Sequence, residues 1–146
     1  MTVKQYLRQL GKLQQNIRIL TEELEERRTR LTSTAAPVLG DKVQSSTSGD
    51  SFASAIVAIA DKDIQRQTLI CVYEEMRDRI VEQILGMDAS EIERQILYAH
   101  YVQGESLRVI AEKNAYSYDW ICHMHGRALI KFSMQNEHDI QKQVFI

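Results

Sequence analysis

The chain has 146 residues, 44% hydrophobic and 26% charged, with six Gly and one Pro. This fits one ordinary core, or a small domain joined to an extended helical part, and the scarcity of Gly and Pro favours helix. A net charge of −2 does not advertise a phosphate-tracking surface. No apolar run approaches the roughly 18 residues of a membrane span, and the opening MTVKQYLRQL lacks the apolar stretch of a signal peptide. Cys71 and Cys122 stand apart, outside any C-x-x-C, which predicts reduced thiols in a cytoplasmic protein.

Val3, Tyr6, Leu10, Leu13, Ile17, Leu20, Leu24 and Leu31 recur at spacings of three and four, interrupted only by Arg27. This predicts one coiled-coil-like helix over 3–32. Glu22–Glu26 precede Arg27–Arg30 by about one turn, which supports the helix through i,i+4 pairs. The same arginines suit the C-terminal end of the helix dipole, with a phosphate-binding patch as the alternative. Residues 33–50 are rich in Ser and Thr and hold the only Pro, so they read as a long loop, with some order around Val38, Leu39 and Val43. Asp50 or Ser51 is the expected cap of a second helix over 51–87. Its stripe is Phe52, Ile56, Ile59, Ile70, Tyr73, Ile80, Ile84 and Met87, widened by Leu69, Val72 and Met76. Asp63, Arg66 and Arg77 interrupt that stripe. Antiparallel pairing of the two helices is the simplest way to bury both stripes. Two helices make a thin core, so either the C-terminal domain or a second copy of the chain must cover the remainder, and a homodimer through these helices is expected.

Gly86 to Asp88 read as a stop. A third helix then opens at Ala89-Ser90, capped by Ser90 or Asp88, with Ile92, Ile96, Leu97, Ala99, Tyr101 and Val102 on its apolar side. Gly104 suits a left-handed closing residue. Ser106 caps a fourth helix over 107–113, and Ser117 caps a fifth from Tyr118 to about Gln135. A C-terminal tail, 136–146, is expected to be helical at first and frayed at its end. The predicted architecture is all-α: a long N-terminal antiparallel hairpin over 1–87 containing the linker, a three-helix helix-turn-helix domain over 88–135, and the tail. Residues 1–31 carry +3, residues 32–87 carry −3 and residues 88–146 carry −2.

In the helix-turn-helix, Leu107, Ile110 and Ala111 form the inward face of the first helix. Ile121, Met124, His125 and Ala128 form that of the second, with Leu97 below and Trp120 half-buried at the edge. Leu97, Leu107, Ile110, Ala111, Trp120, Ile121, Met124 and Ala128 are thus the expected core. Tyr118, Asp119, Cys122, His123 and Gly126 point outward, flanked by Arg127 and Lys131. If the module reads DNA, Arg108, Ser117, Tyr118, His123, Arg127 and Lys131 are the expected contacts. A generic three-helix bundle could show the same spacing.

The stretch Leu97 to Phe132 resembles region 4 of the sigma-70 family of RNA polymerase sigma factors. The matching residues are His100-Tyr101, Gly104, Ser106-Leu107, Ile110-Ala111, Ser117, Ile121 and Arg127-Ala128. The whole chain is similar to small phage and prophage proteins of the DUF1492 type, akin to the ArpU and RinA late regulators. That likeness is carried by the long first helix, the segment Asp41–Asp50, and Tyr116-Ser117-Tyr118 with Trp120 and His125-Gly126-Arg127-Ala128-Leu129. The resemblance implies a phage-encoded, sigma-like transcriptional regulator with double-stranded DNA and host RNA polymerase as partners. Two departures stand out. Asp119, Cys122, His123 and Met124 occupy positions where such recognition helices usually carry Lys or Arg, and Ala115 stands where the turn usually has Gly, with Asn114 as the alternative left-handed residue.

His123 and His125 are two apart on a helix and cannot chelate together. Cys122 and His125 could, but no paired motif supplies two further ligands, so neither metal nor cofactor is expected. His125 reads instead as a hydrogen-bonded core residue. Cys122 beside His123 lacks an orienting third group, and no Gly-rich phosphate loop follows a strand, so no enzyme is expected. Three functions remain: a DNA-binding regulator, a protein adaptor that kept the helix-turn-helix shape, and a phage DNA-packaging small subunit. The last usually places its DNA-reading part first, the reverse of the order here.

Overall fold

A computed structural model of the chain describes residues 1–34 and 46–142. Among them the fold is all-α: α1 (Val3–Thr34), α2 (Ser46–Leu85), α3 (Glu91–Leu97), a π-helical turn (Tyr98–Val102), α4 (Leu107–Lys113) and α5 (Tyr118–Lys142). No helix among the described residues is long and apolar enough to cross a membrane. The order expected around Val38, Leu39 and Val43 lies outside the described residues.

Residues Met1–Leu13 and Tyr73–Ile146 form one compact unit, and Gln14–Val72 form another. The chain therefore divides inside α1 and α2, not at the expected boundary between 87 and 88. The cause is packing in the first unit. Tyr6, Leu7 and Leu10 of α1 share one buried cluster with Met76, Ile80, Ile84 and Met87, and with Leu97, Tyr101, Val102, Ala128, Leu129 and Phe132. The Tyr6 hydroxyl donates to Gln83 Oε1 at 2.9 Å, and its ring lies 6.1 Å from that of Phe132. Gln135 closes the end of α2, donating to the Gly86 carbonyl and accepting from the Asp88 amide. α3 packs on α5, and α4 packs on α5 and on the π-helical turn.

Asn136 leaves helical geometry at φ −120°, ψ 20°, and its side chain donates to the Phe132 carbonyl. The helix resumes to Lys142, and Ile140 is 4% exposed within the main cluster. The tail is thus helical in its first part, as expected, and Ile140 ties it to the core, while the end expected to fray lies outside the described residues.

In the second unit, Ile17 and Leu20 of α1 and Ala55, Ile59, Lys62, Arg66 and Leu69 of α2 are half-buried. Leu24 is the only apolar side chain among the described residues of this unit to be buried. Arg66 Nε donates to Thr21 Oγ1 at 2.7 Å, so this charge in the apolar stripe has a specific polar partner. α1 continues to Thr34, which places the arginines before its last turn; Arg27 and Arg30 pair with Glu23 and Glu26 at 2.9 and 2.8 Å. α2 begins at Ser46, so neither Asp50 nor Ser51 caps it. Extending an existing helix through weak formers costs little per residue, whereas starting one is expensive.

Candidate nucleic-acid interface

Ser90, Ser106 and Ser117 each precede a helix and accept a hydrogen bond from the backbone amide three residues on. Each satisfies one of the amides that a helix start leaves without an internal partner. Glu93 answers Ser90 by accepting from its hydroxyl at 2.8 Å. Two residues past the π-helical turn stands Gly104, whose φ of 75° a side chain would resist. Between α4 and α5 the left-handed residue is Ala115, φ 56°, while Asn114 stays at φ −101°. The Asn114 side chain instead donates to the Ile110 carbonyl and accepts from Gln95.

A small buried cluster holds the module together: Ile96, Ala99, Ile110, Ala111, Ile121 and Met124, with Ile92 and Leu107 packed against it. Leu97 and Ala128, also expected in this core, are buried but face the larger cluster. The π-helical turn sits where the two clusters part, since Ala99 belongs to one and Tyr101 and Val102 to the other. Nothing in the residue pattern announces that turn. Trp120, expected half-buried at the edge of this core, lies outside the cluster. It is 37% exposed and stacks on Tyr116 at 4.4 Å between ring centroids. The small residues Ala99 and Ala111 leave a compact cluster that closes without an indole, and the aromatic neighbour covers one face of the ring.

The outward surface combines aromatic rings with few cations. The Arg108 guanidinium lies 4.7 Å above the Tyr118 ring, a cation–π contact, and both side chains are exposed. A hydrogen bond with Cys122 pushes the Tyr118 hydroxyl above its ordinary pKa. Ser117 is exposed but already serves as the cap of α5. His123 and Arg127 lie exposed one turn apart, and Asp119 sits in the first turn of α5. Lys131 is only half-exposed and donates to Glu93 Oε1 at 2.9 Å. Glu93 is 1% exposed. Burial opposes its ionisation, yet the hydrogen bonds from Lys131 and Ser90, with Arg127 nearby, hold its carboxyl below the ordinary range. Lys113 is likewise paired, with Glu105. The structure thus gathers Arg108, Ser117 and Tyr118 at the start of α5, sets His123 and Arg127 along its exposed side, and commits Lys131 to the interior acid.

Behind this surface, His125 shares a 2.9 Å hydrogen bond with the Tyr101 hydroxyl. Burial, with the charges of His100, Lys4 and Arg8, lowers its pKa to about 4. No cluster of three or more His, Cys, Asp or Glu side chains among the described residues could hold a metal ion. Comparison with protein-family models, curated proteins and solved structures finds no match to this chain.

Proposed function

We propose that the chain is a sigma-like transcriptional regulator of the phage type that its sequence resembles, acting on double-stranded DNA together with RNA polymerase. It binds and does not catalyse. In this reading α3, α4 and α5 are a region 4-like helix-turn-helix carried on a hairpin of α1 and α2, and two copies join through those N-terminal helices in the cytoplasm. The observation that carries it is α5: Ser117 caps it, its inner residues pack against α4, and Tyr118, His123 and Arg127 stay exposed along it beside Arg108. Such a helix can enter a major groove N-terminus first.

Gel shifts against DNA of the encoding phage or prophage test the reading. A shift at low salt that weakens with added salt is expected. Arg108→Ala and Arg127→Ala should each weaken it, while Lys131→Ala reads mainly stability because it strips a buried acid of its partner. No shift at low salt sinks the reading. The adaptor reading is favoured by the exposed Tyr116–Trp120 pair, since Trp, Tyr and Arg are the side chains that most often anchor protein interfaces. A pull-down from host lysate that survives nuclease, with no gel shift, would select it.

A further inference from the structure

We infer that the outer face of α2 between Ala53 and Cys71 is the seam on which a second copy of this chain packs. The inference rests on the two-copy part of the proposed reading and says which surface makes it. Ala53, Val57, Ala60, Ile64, Gln67 and Cys71 follow one another at spacings of four and three, and all are exposed. Ile56 adjoins them, no member of the row is charged, and the exposed acids Asp50 and Asp61 border it. Val57 is 57% and Ile64 64% exposed.

The opposite face of the same helix faces α1, yet Lys62 and Arg66 interrupt it. The helix therefore turns a cleaner apolar stripe outward than inward. A helix apolar on two sides belongs between two neighbours, and spacing of four and three is what lets another helix seat its side chains in register. An uncharged row packs without stranding charge only against another uncharged row, with Asp50 and Asp61 left at the solvated border. The same face on a second molecule meets that need, and a two-fold pairing closes without leaving a free surface.

The sizes of the side chains set the direction. With the helices antiparallel and the two-fold axis level with Lys62, Ala60 lies opposite Ile64 of the partner subunit. Val57 then lies opposite Gln67 of the partner subunit, and Ala53 opposite Cys71 of the partner subunit. A shorter side chain meets a longer one in each layer, which lets the helices approach closely. Beside this face, a largely apolar groove of about 500 Å³, lined by Ile19, Leu20, Ile64 and Leu69 with Asn16, Gln65 and Thr68 at its polar positions, extends the surface onto α1.

Sedimentation equilibrium of the full chain tests the seam. The wild-type chain should be a dimer at micromolar concentration, and Val57→Glu and Ile64→Glu should each weaken association at least about tenfold, since each buries a charge in the seam. Circular dichroism should stay unchanged, because both positions are exposed in the single chain. Met134→Glu, at an exposed apolar residue of α5, should leave the dimer intact. Under oxidation Ala53→Cys should form a disulfide-linked dimer with Cys71, and the wild-type chain should not. A dimer indifferent to both seam charges overturns the inference while leaving the two-copy reading alive. A wild-type monomer overturns both, and wild-type crosslinking through Cys71 alone overturns the antiparallel register.

Discussion

Ala115 holds a left-handed backbone at φ 56°, which costs a residue with a side chain about 1–2 kcal/mol. Glycine removes that strain but gives back part of it as chain entropy, roughly 0.5–1 kcal/mol. Ala115→Gly should therefore raise stability by about 0.5–1 kcal/mol in urea unfolding, and Ala115→Val should lower it. His125 gives a second prediction. Its imidazole is neutral in the fold down to about pH 4, whereas the unfolded chain takes up this proton near its ordinary value of about 6.5. The stability contributed by this residue is therefore complete above about pH 6.5 and falls as pH drops toward 4. The loss is on the order of 3 kcal/mol when the shift is complete. Proton NMR of the His125 ring should titrate near 4, and a midpoint near 6.5 would contradict the burial argument.

Among the elements, α5 shows how one distant side chain can recruit a segment. Beyond Asn136 the residues are mostly polar, and nothing local distinguishes them from a fraying end. Ile140 nonetheless enters the main cluster, so Ile140→Ala should cost about 2–4 kcal/mol in chemical unfolding. An effect within about 0.5 kcal/mol, as expected of a surface position, would mean that Ile140 is not held in the cluster. The helix starts at Ser90, Ser106 and Ser117 were legible in the sequence because a cap acts across three residues. The closing role of Gly104 was legible for the same kind of reason. Trp120 and Lys131 were not. Both stand near apolar positions of α5, and only their neighbours in space, Tyr116 and Glu93, decide where their side chains go.

For the whole molecule, burial is unevenly shared. Among the described residues, almost every buried apolar side chain belongs to the unit made of residues 1–13 and 73–146, and Leu24 stands alone in 14–72. Hydrogen exchange should reflect this. Amides of 14–34 and 46–72 should exchange through openings of lower free energy than those of 76–84 and 121–132. Equal protection at a chain concentration too low for self-association would contradict it, and protection of 53–71 that rises with concentration would accord with the α2 seam. Electrostatics act at this scale too, because pairing of Lys131 and Lys113 with interior or neighbouring acids leaves binding to depend on few cations. The salt slope of any DNA complex should accordingly be shallow, near two phosphates' worth for Arg108 and Arg127 in each copy.

The all-α class, the starts of α1, α3, α4 and α5, and the inner faces of α4 and α5 were legible in the sequence. These follow from side-chain period and from caps, which operate within a turn or two of the chain. Only the tertiary structure decided that α1 and α2 are each shared between two units, that a π-helical turn parts the two clusters, and that Ile140 is core. It also decided that Trp120 stacks at the surface and that Lys131 serves Glu93. Each of these is settled by contacts between residues far apart in the chain, and local periodicity carries no record of which distant surface a stripe will meet.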